Sequence, residues 1–316
     1  MLAIPVPMHI PDGFLSVIVS LVLWGISVIV IGFALKRVNT DLEERQIPLM
    51  GILGAAVFAG QMLNFSVTGG TSGHLLGAAI VTILLGPWPA MLVMTCVVGV
   101  QAIVFQDGGL LALGANLFNM AIVGVAVANF AQRFIQRLAG NRPWVTVVSG
   151  FASGWLSILI ASLACGLQLA LSGTSPANVA VPAMAAIHAL IGIGEGLITA
   201  GALAFVASAR SDRLTPEETP TSASRSLWVG GLALAVLLAV ISPIASAHPD
   251  GLEWVAEQQG FLGRAQAPLY DLMPDYLLPG ISNEALATVL AGIVGVGLVL
   301  IATVGVAMGR RRSSAT

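Results

Sequence analysis

Charged residues are scarce in this chain of 316 residues: Asp, Glu, Lys and Arg make up 9%, whereas a typical globular protein carries about 25%. So few charges cannot cover a water-facing surface, and the 57% of hydrophobic residues therefore indicates a multi-pass membrane protein. The 13 basic and 15 acidic residues nearly cancel, which excludes a basic nucleic-acid-binding protein. Two cysteines, Cys96 and Cys165, lie in separate apolar runs, which excludes a disulfide framework and a CxxC metal or redox pair.

Several sequence motifs are also missing. There is no GxxxxGK[ST], so the chain binds no nucleotide through a P-loop, and there is no HExxH, which argues against an intramembrane zinc peptidase. The first residues lack the basic region of a cleavable signal peptide, and none is expected.

Long apolar runs predict an all-α polytopic membrane protein. The nine predicted spans cover residues 14–35, 47–65, 74–87, 89–105, 110–131, 145–171, 182–208, 227–246 and 286–308. The third is short, and it is either tilted or partly re-entrant.

The basic residues predict the topology. With the N-terminus outside and the C-terminus in the cytoplasm, twelve of the 13 basic residues fall on the cytoplasmic side, and only Arg264 lies outside. We therefore expect a protein of the inner (plasma) membrane, in contact with lipid.

The chain divides after the seventh span. Residues 1–210 form a bundle of about seven helices, and residues 211–226, rich in Ser, Thr and Pro, are interpreted as a cytoplasmic linker. Residues 227–316 then form a two-helix module whose helices flank an extracytoplasmic segment, 248–285.

All four histidines fall near the outer ends of predicted spans. His9 lies in MHIPDG, and His74 follows the glycine-rich turn GGTSGH. Two imidazoles on one membrane face could share a transition-metal ion. The alternative is that each is an interfacial histidine bonded to a neighbouring carbonyl.

Other polar residues lie within or beside the spans. Glu195 is deep in the seventh span, seven residues after His188, and is either part of the surroundings of a metal or a clasp to a neighbouring helix; we favour the clasp. A second polar group either lines a chamber around the histidines or bonds helices together: Asn64, Gln101, Gln106, Asp107, Asn116 and Asn119.

Four segments resemble one known family. MHIPDGFL, NFSVTGGTSGHLLG, QDGGLLALGANLFNM and HALIGIGEGLIT are similar, in order, to the signature segments of CbiM/NikM proteins, the substrate-capture (S) components of energy-coupling-factor transporters for cobalt or nickel. Residues 225–316 resemble the CbiN/NikN partner, because HPDGLEWVAEQQGF matches its PDGLE signature. The chain thus resembles a fused M–N subunit.

The resemblance implies a metal site made of nitrogen ligands. The ligands would be the amine of Met8, the amide and imidazole of His9, and the imidazole of His74, with Asn64, Asp107, His188 and Glu195 as candidate surrounding residues. The residues MLAIPVP precede Met8 here, so its nitrogen is a free amine only if the protein starts at Met8, which we expect.

The resemblance also implies a transporter subunit rather than an enzyme, with no catalytic residue and no cofactor. Its transported ligand would be Co²⁺ or Ni²⁺, a choice that the sequence leaves open. Its partners would be a transmembrane T component and cytoplasmic ATPases, where ATP hydrolysis takes place. The alternatives are a metal-dependent membrane enzyme using His9, His74 and Glu195, or metal transport without ATPases.

Overall fold

The computed structural model describes residues 9–41, 46–140, 142–211 and 220–313. These ranges form a helical bundle with one short antiparallel hairpin, β1 (Phe65–Val67) and β2 (Thr71–Gly73). The helices are α1 (Val17–Asp41), α2 (Gln46–Gln61), α3 (Ala78–Leu85), α4 (Pro87–Val104), α5 (Leu113–Asn116), α6 (Gly124–Ala139), α7 (Pro143–Leu171), α8 (Ala177–Ser211), α9 (Pro220–Ile241), α10 (Gly251–Gln258) and α11 (Glu284–Ser313). A π-helical turn, Leu117–Val123, joins α5 to α6.

The all-α membrane fold predicted from the sequence is confirmed. Among the described residues, six helical stretches are long and apolar enough to cross a membrane, and two shorter apolar helices accompany them. Large apolar side chains on the outside of the bundle are exposed, such as Ile18 (76%), Ile29 (73%) and Phe205 (74%). Such surfaces are expected where a bundle faces lipid.

The third predicted span is only partly helical. Residues 74–77 have no regular structure, and α3 contains 8 residues, which extend about 12 Å at 1.5 Å per residue. Gly77 has φ +79° and allows the chain to pass close to α2, because a Cβ there would lie 2.6 Å from Val57 Cγ1. The bundle therefore contains a stretch of irregular backbone with unpaired N–H groups that other residues must satisfy.

The C-terminal helices pack directly on the first part of the chain. Helix α2 lies between α9 and α11, and α11 also packs on α4. A glycine permits close approach on each side, since a Cβ at Gly51 would lie 2.7 Å from Val304, and one at Gly231 would lie 2.2 Å from Ile52. Helix α9 is described from Pro220, inside the predicted linker 211–226.

Candidate metal site

The segment that contains His9 lies buried across the loop after α4. The His9 amide N–H donates to Asp107 Oδ1 at 3.1 Å, and His9 Nδ1 lies 3.2 Å from the Asp107 carbonyl oxygen. Because a carbonyl only accepts, Nδ1 carries the ring proton and Nε2 keeps its lone pair. His9 is 4% exposed, and its buried Nε2 has no hydrogen-bond partner among the described residues. Such an unpaired nitrogen suits a metal ligand.

Two further residues fix the position of this segment. Asn116 binds the backbone of Ile10 on both sides, accepting from its N–H at 3.1 Å and donating to its carbonyl at 3.1 Å. Gly108 has φ +97°, and a Cβ there would lie 3.0 Å from His9 Cβ and 2.8 Å from Asn116 Nδ2. The glycine therefore allows the loop to approach His9 closely.

The second histidine follows the hairpin. His74 Nδ1 lies 3.0 Å from the carbonyl oxygen of Leu75, so it too carries the proton and leaves Nε2 available. The rings of His9 and His74 meet edge to face, with centroids 5.6 Å apart. A metal about 2 Å from a ring nitrogen lies about 3 Å from the ring centroid, so two rings that share an ion have centroids up to about 6 Å apart. The structure thus brings these two predicted residues together.

Glu195 holds the backbone next to His74. Its carboxylate is fully buried, and its two oxygens accept from the N–H groups of Leu76 at 2.6 Å and Gly77 at 3.0 Å. These are backbone groups of the irregular stretch before α3, where water is excluded. Glu195 therefore acts as a clasp on the irregular turn that carries His74, not on a neighbouring helix.

A small cavity of about 80 Å³ lies beside the histidine pair. His9, His74 and His188 all line it, together with Cys165 and Asp250. His188 Nδ1 lies 2.8 Å from the carbonyl oxygen of Met184, one helical turn earlier, so this ring is also anchored to backbone. His188 therefore lies beside the pair, on the wall of the same cavity.

The remaining predicted ligand, Met8, lies outside the described residues. Within the part of the chain that the structure describes, no three His, Cys, Asp or Glu side chains are placed to hold one metal ion. Of the predicted ligands, the structure therefore describes His9 and His74. The His9 amide nitrogen can become a donor only when its hydrogen bond to Asp107 is broken.

The PDGLE segment, residues 249–253, forms part of the wall of the cavity beside the two histidines. Ser72, in the strand just before His74, donates its N–H to the Pro249 carbonyl at 2.8 Å and its hydroxyl to the His248 carbonyl at 2.8 Å. Gly251 packs against His188, and a Cβ there would lie 2.9 Å from its Cε1. Asp250 caps α10 by accepting from the Glu253 N–H at 2.7 Å, and burial raises the pKa of Asp250 well above its usual range.

Asn64 lies apart from the histidine pair. It lines a second, larger cavity of about 550 Å³ between the two parts of the chain, and its buried Oδ1 has no partner among the described residues. Asp107 and Tyr276 line the same cavity, and the Tyr276 hydroxyl donates to Asp107 Oδ2 at 2.5 Å. Tyr276 was missed in the sequence, although the chain has only two tyrosines and both lie in the segment 248–285.

Comparisons with known proteins agree with the arrangement of two parts. Residues 9–213 match the family described as CbiM, cobalt uptake substrate-specific transmembrane region, and residues 225–312 match the PDGLE domain. A protein of Archaeoglobus fulgidus, provisionally named fused nickel transport protein NikMN, is 39% identical over 93% of this chain and 96% of its own. The fused nickel transport protein NikMN of Rhodobacter capsulatus is 33% identical over 96% of this chain and 98% of its own. A crystal structure of a transition metal transporter is 34% identical, with a TM-score of 0.59, over 65% of this chain and 95% of that one.

Proposed function

Because the chain belongs to the CbiM family of substrate-specific transmembrane regions for metal uptake, we propose that it captures Ni²⁺ or Co²⁺ for import. One observation carries the proposal: the buried imidazole of His9 and the half-buried imidazole of His74 meet edge to face with centroids 5.6 Å apart, each with its Nδ1 at a backbone carbonyl and its Nε2 available. A histidine that binds a metal typically donates its other ring N–H in this way. The chain is accordingly a transport component rather than an enzyme.

The proposed ligands are His9, His74 and the nitrogen of Met8. Nitrogen donors in a plane suit Ni²⁺, and a tetragonal variant suits Co²⁺. The names of the relatives support both ions, since the family is described by cobalt and the fused relatives by nickel. When His9 binds through Nε2, its own amide nitrogen is too far away to join the same ion, so the amide keeps its hydrogen bond to Asp107 Oδ1.

Energy for import comes from partners in this proposal. The sequence has no P-loop, so ATP hydrolysis belongs to cytoplasmic ATPases that act through a transmembrane T component. The positive-inside pattern supports an extracytoplasmic metal site and a cytoplasmic C-terminus. Co-isolation of an ATPase with the tagged chain would support this assembly. Full metal transport by the isolated chain in vesicles would contradict it.

Binding to the purified full chain tests the site directly. We expect His74→Ala to weaken Ni²⁺ or Co²⁺ binding by at least about 100-fold in calorimetry, because it removes a ligand. His248→Ala is the matched control, since His248 is exposed and outside the pair, and its affinity should stay within about twofold. Equal affinities of the two variants would refute the site.

The amine ligand needs a separate comparison. A protein beginning at Met8 should bind the ion more tightly than one that retains residues 1–7, because only the first offers a free amine at that position. Equal affinity of the two forms would eliminate Met8 from the ligand set and leave the two imidazoles.

A further inference from the structure

The outer segment of the C-terminal part reaches the residue that holds His9. We use the name connecting segment for residues 242–283, between the end of α9 and the start of α11. Within it, Tyr276 donates its hydroxyl to Asp107 Oδ2 at 2.5 Å, and the tyrosine and the aspartate are 9% and 3% exposed. The contact is therefore shielded from water, where a hydrogen bond to a charged group is strongest.

The tyrosine ring is fixed by aromatic neighbours. It stacks on Phe105, with centroids 4.8 Å apart and planes at 17°, and it tilts against Phe58 at 6.1 Å. Asp275 and Tyr276 have φ values of +53° and +56°, a backbone region that residues other than glycine seldom occupy. Such a conformation persists only where surrounding contacts compensate for it, and here those contacts aim the hydroxyl at Asp107.

The carboxylate of Asp107 links this hydroxyl to His9. One oxygen, Oδ2, accepts from Tyr276, while Oδ1 accepts from the His9 amide at 3.1 Å and lies 3.4 Å from His9 Nδ1. A carboxylate held at one oxygen cannot rotate without losing that bond. The orientation of Asp107 therefore depends on Tyr276, and the orientation of His9 depends on Asp107.

We propose that Tyr276 is a positioning residue for His9, acting through Asp107, so that the connecting segment sets the geometry of the metal ligand. The inference rests on the proposed function, because it assigns Tyr276 to the same metal site. The C-terminal part of the chain would then influence metal binding directly, because removal of the Tyr276 hydroxyl should change the metal affinity.

The two tyrosines provide a matched pair of variants for the test. Tyr276→Phe removes only the hydroxyl and retains the stacking on Phe105. Tyr270→Phe is the control, because the Tyr270 hydroxyl also donates to the first part of the chain, to the Ile103 carbonyl at 2.8 Å, but does not contact Asp107. In the full-length protein we expect Tyr276→Phe to raise the Kd for Ni²⁺ about tenfold, and Tyr270→Phe to change it by less than about twofold.

A measurement without metal separates positioning from general stability. The amide of His9 should exchange its hydrogen about tenfold faster in Tyr276→Phe, and α6 should be unaffected, because only the anchor of the N-terminal segment is weakened. In a protein that already carries Asp107→Ala, adding Tyr276→Phe should change the exchange of the His9 amide by less than about twofold, since the side chain that links the two residues is then missing.

Each outcome distinguishes the two proposals. Faster exchange near His9 together with weaker Ni²⁺ binding supports the role of Tyr276. If the wild-type protein binds Ni²⁺ but Tyr276→Phe equals Tyr270→Phe in affinity and in exchange, the positioning role is refuted and the proposed function stands. If the wild-type protein binds neither Ni²⁺ nor Co²⁺, the proposed function fails, and the role of Tyr276 in metal capture fails with it.

Discussion

Replacing Glu195 by glutamine removes one acceptor from a pair of buried hydrogen bonds. In the native protein the two carboxylate oxygens accept from the N–H groups of Leu76 at 2.6 Å and Gly77 at 3.0 Å. The NH₂ group of glutamine can only donate, so one backbone N–H loses its partner. A hydrogen bond to a charged group contributes about 1.5–3 kcal/mol, and we therefore expect Glu195→Gln to lower the free energy of unfolding by about 2 kcal/mol.

The same change should also reach the metal. His74 lies two residues before Leu76, so a loosened turn leaves its imidazole less well placed. Loss of a residue that orients a ligand typically weakens metal binding 10–100-fold, and we expect about tenfold here. The assay is Ni²⁺ calorimetry together with thermal unfolding in detergent, where about 2 kcal/mol corresponds to a fall in Tm of roughly 4–8 °C.

The control for this experiment is Glu257→Gln, because Glu257 is exposed on α10. We expect the control to leave both Tm and Kd close to those of the wild type. A Glu195→Gln protein with unchanged Tm and unchanged Kd would refute the clasp. A lower Tm with unchanged Kd would show that the clasp stabilises the bundle without positioning His74.

Two further variants test the loop after α4 and the cap of α10. Gly108→Ala should lower the free energy of unfolding by about 1–3 kcal/mol and weaken Ni²⁺ binding, because its φ of +97° disfavours a side chain and the new Cβ would lie 2.8 Å from Asn116. Gly140→Ala is the control for backbone strain alone, because Gly140 has a φ of +80° and open space around it. Equal changes of the Kd for Ni²⁺ in the two variants would contradict the argument. Burial raises the pKa of the Asp250 carboxyl in the folded protein above its value of about 3.9 in the unfolded chain. The protonated carboxyl therefore contributes to stability fully below about pH 3.9, and this contribution is lost as the pH rises through the pKa of the folded state. Asp250→Asn keeps an acceptor for Glu253 and removes this titration, so the Tm difference between variant and wild type should be more positive at pH 8 than at pH 5; a difference independent of pH would contradict it.

The positions of the helices could be predicted from the sequence because a span is a local feature. Most of the long apolar runs are helices, since a helix satisfies its own backbone and needs only length and hydropathy, but the third predicted span is helical only over Ala78–Leu85. The irregular backbone at 74–77 could not be predicted in this way. Two of its N–H groups, those of Leu76 and Gly77, are satisfied by Glu195, more than a hundred residues further along the chain, and no local sequence pattern indicates that contact.

The same distinction applies to the candidate site. His9 and His74 were predicted because each lies in a short motif that can be recognised by itself. The roles of their partners depend on contacts between distant segments. Asp107 was predicted near the site, but its two bonds, to the His9 amide and to the Tyr276 hydroxyl, join three separate parts of the chain.

The hydrogen bonds from Ser72 to residues 248 and 249 join two parts that are also covalently connected between α8 and α9. Covalent connection turns their association into an intramolecular event, with an effective concentration that reaches the millimolar range for short linkers. The hydrogen bonds at the hairpin therefore form within one molecule, and they should not depend on protein concentration. The cover over His188 should therefore be retained on dilution, whereas a cover formed by a separate chain would be lost.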